Sequence, residues 1–128
     1  MILYDASAFF ELLKQETISK DSFILDLGIY EIGNVLWKQK NLLKTIDKNE
    51  ANKFMEFVGV WESIIRTIPP DDFSKIYEIA ERNNTTFYDS AYIHFAKKYA
   101  LNLLTCDEKL YKTAKKNKIQ ATLIKEKK

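Results

Sequence analysis

Short apolar runs alternate with longer stretches of helical periodicity along the whole chain. The runs at residues 2–4, 64–68, 101–105 and 121–124 predict strands. Around them, apolar residues recur every three or four positions, which predicts amphipathic helices. These helices cover about residues 6–14, 27–40, 48–65, 72–82, 87–99 and 107–117.

Polar residues mark the predicted helix ends. Asp26 and Asp47 are placed to cap the second and third helices, and Asp71 or Asp72 to cap the fourth. Asn83-Asn84 ends the fourth helix. The third helix carries an apolar stripe of Ala51, Phe54, Val58, Trp61 and Ile65, which Phe57 and Ile64 widen.

This order of elements indicates an α/β fold with a parallel sheet covered by helices on both faces. The chain contains 3 Gly and 2 Pro and no low-complexity linker, so we expect a single domain over residues 1–128. In open parallel sheets, ligands bind beyond the carboxyl ends of the strands. Asp5 and Asp107 each follow a predicted strand, so both belong to the same edge of the sheet.

Composition narrows the classes of function. No apolar run approaches the roughly 18 residues of a membrane span, and the N-terminus lacks the basic and long apolar regions of a signal peptide. Cys106 is the single cysteine, which fits a reducing cytosol. We therefore expect a cytoplasmic protein with no membrane association.

Charge is distributed unevenly, although the net charge is only +2. Residues 1–96 contain 10 Lys or Arg and 15 Asp or Glu, whereas residues 97–128 contain 10 and 3. A basic end on an acidic body can attract a phosphate backbone. A solvated, lysine-rich helix and tail is the alternative interpretation.

Four acidic residues near predicted helix starts are the candidate chemistry. Asp5 can cap a helix or bind a metal ion, and both roles are compatible if one carboxylate oxygen stays free. Glu31 lies in an apolar helix, where burial of an unpaired carboxylate costs free energy. Its side chain is therefore either exposed at the rim of the core or oriented by Asn34, which lies one helical turn later. Asp89 and Asp107 begin later helices, where each can act through helix electrostatics alone.

Taken together, the four acids predict a metal site. Crowded carboxylates repel, and one must be protonated unless a cation neutralises the set. Hard oxygen ligands select Mg²⁺ or Mn²⁺, and the sequence offers no Cys/His cluster for zinc. We interpret His94 as a partly exposed helix residue and Cys106 as a small residue before Asp107, neither ligand nor nucleophile.

Four segments resemble, in order and spacing, the motifs of the PIN-domain family, specifically its VapC-type toxin ribonucleases. They are residues 1–8 (MILYDASA), 30–38 (YEIGNVLWK), 88–92 (YDSAY) and 104–110 (LTCDEKL), which extend over nearly the whole chain. The resemblance implies a three-layer α/β/α sandwich with a central parallel β-sheet. It also implies that the acids bind Mg²⁺ or Mn²⁺ and that two hydroxyls support them. These acids are Asp5, Glu31, Asp89 and Asp107, and the hydroxyls are those of Ser7 and Thr105.

The same resemblance implies an activity and partners. Family members hydrolyse RNA phosphodiester bonds, so we expect Asp5 and Asp89 to be the central ligands and Glu31 and Asp107 to act directly or through water. Four lysines are candidates to neutralise RNA phosphates: Lys109, Lys112, Lys115 and Lys116. The expected partners are a VapB-type antitoxin that blocks the acidic site and a second copy in a homodimer.

Aromatic residues are numerous, with 8 Phe, 7 Tyr and 2 Trp. We do not expect one small core to hold Trp37, Phe54, Phe57 and Trp61 together. Exposed apolar patches often mark interfaces, which agrees with an oligomer. A fully buried aromatic core is the alternative.

Other functions stay open on the sequence. A haloacid-dehalogenase-like phosphatase also needs an Asp after its first strand, but it needs a second Asp two residues later, where this chain has Ser7. A phosphorelay receiver domain needs an acid pair, which is missing. A PIN-like module that binds RNA or protein without cutting is the non-enzymatic alternative, and four intact acids argue against a decayed site.

Overall fold

The computed structural model describes residues 1–127, and this part of the chain forms five strands and six helices. The strands are β1 (Ile2–Tyr4), β2 (Ser22–Leu25), β3 (Arg66–Ile68), β4 (Asn102–Thr105) and β5 (Ala121–Leu123). The helices are α1 (Ala6–Lys14), α2 (Asp26–Asn41), α3 (Lys48–Glu62), α4 (Phe73–Asn83), α5 (Phe87–Lys98) and α6 (Glu108–Lys116). None of the helices in residues 1–127 combines the length and apolar character that crossing a bilayer requires.

All five strands are parallel and lie in the order β3-β2-β1-β4-β5. Side chains alternate between the two faces of the sheet, so Leu3 and Tyr4 of β1 enter different cores. One core includes Ile76, Ile93 and Leu110 of α4, α5 and α6, and the other is built with residues of α1, α2 and α3. The predicted α/β/α sandwich is therefore confirmed.

Strand β2 was not predicted, because it joins α2 without a turn residue between them. Phe23, Ile24 and Leu25 therefore continue the apolar pattern of the helix that follows. The predicted cap of α2 was also wrong. Asp26 lies inside the first turn, and Leu25 occupies the N-cap position without a side-chain hydrogen bond. A helix that starts directly from a strand leaves no room for a capping loop.

Asp72 stands at the N-cap position of α4 but does not cap it with its side chain. Its backbone is left-handed (φ 56°), which turns the carboxylate away from the first turn of the helix. The carboxylate instead accepts a 2.7 Å hydrogen bond from Lys98 Nζ and lies 2.9 Å from His94 Nε2. Asp72 therefore ties the start of α4 to α5, and hydrogen bonds from Lys98 and His94 lower its pKa to about 2.

Helix α3 begins with the predicted Asp47 cap, which forms a full capping box with Glu50. Its apolar stripe is narrower than predicted. Val58 is buried, but the side chain of Phe57 is 47% exposed and that of Ile64 is 44% exposed, so neither widens the core contact. Trp37 of α2 is also 54% exposed, which confirms that the aromatic residues do not all enter one core.

Candidate active site

The candidate site lies at the carboxyl edge of the two central strands, β1 and β4. Asp5 follows β1 and Asp107 lies two residues beyond β4, and the strands are direct neighbours in the sheet. The Asp5 N–H donates to the Leu104 carbonyl (3.1 Å), so the hydrogen bonding between β1 and β4 continues to the edge of the sheet. Each acid is also the N-cap of the helix that follows it. The strand-to-helix turns therefore bring these two carboxylates to one place.

Asp5 is the most constrained acid of the site. Its Oδ1 accepts hydrogen bonds from the Ser7 hydroxyl (2.7 Å) and the Ala8 N–H (2.8 Å), and its Oδ2 accepts from the Thr105 hydroxyl. Burial raises the pKa of Asp5, which is 7% exposed, although these hydrogen bonds oppose the increase. A carboxylate offers about four acceptor positions. Asp5 therefore acts as a helix cap and still keeps acceptor capacity on Oδ2.

Ser7 and Thr105 connect Asp5 to the loop that carries Asp107. The Ser7 hydroxyl oxygen accepts from the Cys106 N–H (2.9 Å), and that of Thr105 accepts from the Asp107 N–H (2.9 Å). Each hydroxyl thus donates to Asp5 and accepts from the loop after β4. Ser7 and Thr105, the expected supporting hydroxyls, are therefore both in contact with Asp5.

Glu31 reaches the site from α2, and its partner is Tyr92 of α5. The Tyr92 hydroxyl donates to Glu31 Oε1 at 2.7 Å. Asn34 is exposed and makes no hydrogen bond to Glu31 within residues 1–127, so the predicted orienting contact is wrong. The signal for Tyr92 was present in the sequence: a tyrosine in a buried helix face needs a partner for its hydroxyl.

Asp89 lies in the first turn of α5, and its N–H donates to the side chain of the N-cap Thr86 (3.1 Å). Asp107 is exposed, and its Oδ1 accepts from the Lys109 N–H (2.8 Å) and, at 3.3 Å, from the N–H of the next residue. Both acids therefore stand at the positive ends of helices, where a negative charge is stabilised. This role in the helices is compatible with binding a cation through the remaining oxygens.

The charges of the four acids act on one another. Burial raises the pKa of Glu31, with a further increase from Asp5 and Asp89. Burial likewise raises the pKa of Asp89, with increases from Asp107 and Asp5 that Lys109 partly opposes. A cation bound among these acids would favour their ionised forms.

The donor set fits a hard divalent cation by its chemistry. Within residues 1–127, no three Asp, Glu, His or Cys side chains lie close enough to hold one ion as they stand. Mg²⁺ is commonly held by only one or two carboxylates and keeps several waters, so a closed protein cage is not required. The acids are carboxylates without a histidine or thiolate partner, which disfavours zinc.

Of the four candidate lysines, all on α6, Lys109 is the one whose charge acts on an acid of the site, Asp89. Lys112 lies 3.3 Å from Glu108, and Lys115 lies over the ring of Tyr111. Lys116 is exposed in the last turn of the helix. Of these four side chains, Lys109 therefore has the most direct electrostatic effect on the acids of the site.

The single cysteine and the single histidine do not form a nucleophilic pair. Burial, with smaller effects from Asp5 and Glu126, raises the pKa of Cys106 to about 11, so its thiol stays protonated. His94 contacts Asp72 between α4 and α5 rather than the acids. The site therefore offers carboxylates and hydroxyls, and no thiolate or imidazole base.

The family model of the PIN domain matches residues 2–116, and this chain belongs to the PIN domain family. The resemblance of the four sequence segments is thereby confirmed at the level of the family. The fold agrees: PAE2754 from Pyrobaculum aerophilum superposes with a TM-score of 0.74 and 28% identity, over 88% of this chain and 78% of that one.

Two curated relatives from the same organism, Pyrobaculum aerophilum, carry VapC names. One is "Exonuclease VapC9", 33% identical over 87 residues, which are 68% of this chain and 62% of the relative. The other is "Ribonuclease VapC3", 32% identical over 92 residues, which are 67% of this chain and 66% of the relative. The aligned part thus spans just under two thirds of each relative's own length.

Proposed function

We propose that this chain is a divalent-metal-dependent endoribonuclease of the VapC type, the toxin of a toxin–antitoxin pair. The observation that carries the proposal is the set of four carboxylates at the carboxyl edge of the sheet, where burial and the charges of neighbouring acids raise the pKa of Asp5, Glu31 and Asp89. The VapC names of two relatives support nuclease activity, and one of those names specifies ribonuclease. Mg²⁺ or Mn²⁺ is the proposed cofactor because every acid offers hard oxygen ligands.

The four acids have different proposed roles in binding the cation. Asp5, held by Ser7 and Thr105, and Asp89 are the proposed central ligands, while Glu31 and Asp107 complete the site directly or through water. A divalent cation bound there supplies positive charge that stabilises the charge developing on a phosphodiester and promotes the ionisation of water. The raised pKa of Cys106 keeps its thiol protonated and disfavours a cysteine nucleophile, which agrees with direct hydrolysis.

The RNA is proposed to lie across the edge beside α6. The exposed side chain of Lys109 compensates part of the negative charge of Asp89, and it can neutralise a phosphate brought next to the acids. Lys112, Lys115 and Lys116 extend the basic character along the helix. Binding is then expected to weaken as salt rises, because phosphate contacts release counterions.

A circular single-stranded RNA tests both the activity and its direction, since one relative is named an exonuclease. An endonuclease cuts a circle, whereas an exonuclease cannot begin on it. We expect the wild-type protein to linearise the circle with Mn²⁺ or Mg²⁺, and to be inactive with EDTA or as Asp5→Asn. If the protein cuts linear RNA but not the circle, it is an exonuclease and the proposed endonuclease activity is wrong. Binding without cutting would favour the non-catalytic module, and hydrolysis of a small phosphate ester alone would favour the phosphatase.

Two partners belong to the proposal. Large apolar side chains are exposed on α2 and α3, among them Trp37, Phe57 and Val60, and they support a homodimer. A groove between α1, α2 and α3 is lined by Ser7, whose hydroxyl contacts Asp5, and by Phe10, Val35 and Phe54. This groove supports the docking of a VapB-type antitoxin segment.

Each partner has a direct measurement. Light scattering after size exclusion at micromolar concentration should give the mass of two chains, and a strict monomer would contradict the dimer. If a short reading frame lies next to the gene of this chain, its product should co-purify with this chain and suppress RNA cleavage. Absence of both effects would contradict the antitoxin assignment.

A further inference from the structure

The hydroxyl of Tyr92 lies among the acids of the site although the residue is not one of them. Tyr92 is 2% exposed, and its hydroxyl donates to Glu31 Oε1 at 2.7 Å. It stands three residues after Asp89 on α5, so the two side chains share one side of that helix. The ring belongs to the core, and the hydroxyl delivers one hydrogen bond to one carboxylate oxygen.

Gly28 of α2 is the position against which this hydroxyl packs. A Cβ atom added at Gly28 would lie 3.0 Å from the Tyr92 hydroxyl oxygen, closer than ordinary van der Waals contact. Glycine inside a helix is less stable than alanine, so a buried helical glycine calls for a packing reason. Gly33 of the same helix has no atom within 4 Å of an added Cβ. The close approach is therefore specific to Gly28.

Gly28 and Glu31 are three residues apart on α2, so the glycine and the carboxylate face the same side of the helix. The missing side chain at Gly28 leaves the space that the hydroxyl occupies, and the hydroxyl in turn holds Glu31. Removal of either feature would leave the half-buried carboxylate free to take other rotamers. Groups that hold a ligand in this way commonly change metal affinity by about 10- to 100-fold when they are mutated.

We propose that Gly28 and Tyr92 form a positioning pair that holds the Glu31 carboxylate in place for the divalent cation. The pair acts through Glu31 and does not touch the substrate. This inference rests on the proposed function, because Glu31 needs a fixed orientation only if it serves a cation or its water shell.

Tyr92→Phe tests the hydroxyl while it keeps the ring. Its matched control is Tyr4→Phe: Tyr4 is 1% exposed, and its hydroxyl accepts from the Ser19 N–H (3.0 Å) rather than contacting an acid. Mn²⁺ affinity is measured by isothermal titration calorimetry, and kcat and KM on RNA separately. For Tyr92→Phe we expect about tenfold weaker Mn²⁺ binding and a lower kcat at unchanged KM for RNA. For Tyr4→Phe we expect wild-type values of both.

Gly28→Ala tests the same pair from the other side. The added methyl group must displace the Tyr92 hydroxyl by a few tenths of an ångström, so we expect weaker Mn²⁺ binding in the wild-type background. In the Tyr92→Phe background the methyl group meets no hydroxyl, and we expect no further loss. Gly33→Ala is the control, with wild-type Mn²⁺ affinity expected because the space there is open.

The outcomes separate this inference from the proposed function. If Tyr92→Phe matches Tyr4→Phe, or if Gly28→Ala matches Gly33→Ala in Mn²⁺ affinity, the positioning pair is wrong. Additive losses in the double variant would also overturn it, since a shared mechanism predicts non-additivity. If the wild-type protein neither binds Mn²⁺ nor cuts RNA, the proposed function itself fails. Circular dichroism shows whether each variant folds. If either Tyr92→Phe or Gly28→Ala does not fold, the other single variant and its control decide whether the positioning pair is correct.

Discussion

Substitution of Asp5 by two different residues separates its two roles, helix cap and metal ligand. Asp5→Ala removes every acceptor at once: the Ala8 N–H loses its cap, and the Thr105 hydroxyl, which is 0% exposed, loses its acceptor. Loss of the cap costs about 1 kcal/mol. A buried hydroxyl without an acceptor costs about 1–3 kcal/mol. We therefore expect the free energy of unfolding of metal-free Asp5→Ala to lie about 2–4 kcal/mol below that of Asp5→Asn, which loses the same charge but keeps these hydrogen bonds.

Asp5→Asn keeps most of this network. Its side-chain oxygen can still accept from Ser7 and Ala8, and only the group facing Thr105 changes from acceptor to donor. The Thr105 oxygen can accept from the new amide if its own proton turns toward Ser7, 3.5 Å away. Loss of a buried negative charge acts in the stabilising direction, since burial raises the pKa of Asp5. We expect the metal-free variant to stay within about 1 kcal/mol of the wild type.

Urea unfolding in EDTA and then in Mn²⁺ measures both roles on the same samples. Mn²⁺ at 100 times its Kd should raise the free energy of unfolding of the wild type by about 2.7 kcal/mol. Neither variant should show that gain, and neither should cut RNA. An Asp5→Asn protein with wild-type stabilisation by Mn²⁺ and wild-type cleavage would refute the ligand role. Equal stability of the Ala and Asn variants in EDTA would refute the hydrogen-bond argument.

Three further perturbations test other parts of the structure. The folded pKa of Asp72 is about 2, below its unfolded value, so this group contributes stability above about pH 4 that is lost as pH falls toward 2. The melting temperature of Asp72→Asn should therefore lie below that of the wild type at pH 6, and the gap should close between pH 4 and pH 2; a gap that persists at pH 2 would contradict this. Asp47→Ala removes the capping box of α3, so the unfolding free energy from urea titration should fall by about 1 kcal/mol. For Lys109→Ala, RNA binding should weaken and the slope of log K against log salt should fall by about 0.7; an unchanged slope would place Lys109 away from the RNA.

The sheet edge that carries the site was predictable because one sequence pattern occurs twice. At Asp5 and again at Asp107, an apolar strand is followed within two residues by an acid, and a helix begins directly after that acid. Parallel strands end at the same edge, so the pattern alone brings the two carboxylates together. The α/β/α class followed from the same alternation, and it depends on local periodicity rather than on long-range contacts.

Strand β2 and the role of Asp72 were not predictable in this way. Residues 22–25 join α2 without a turn, so their strand conformation depends on pairing with β1 and β3 rather than on local signals. Asp72 has a good capping pattern, but Lys98 and His94, more than 20 residues later, bind its carboxylate instead. A charged hydrogen bond to residues distant in the sequence thus overrides the local preference of Asp72 for capping the helix.

The sequence by itself thus determined the class of fold and the acids that follow its strands, because both depend on neighbours in the chain. The tertiary structure alone decided how each acid is held. It placed Thr105 against Asp5 across 100 positions, and Tyr92 against Glu31 across 61. Such contacts depend on which helix faces meet across the sheet, and no local pattern specifies that geometry.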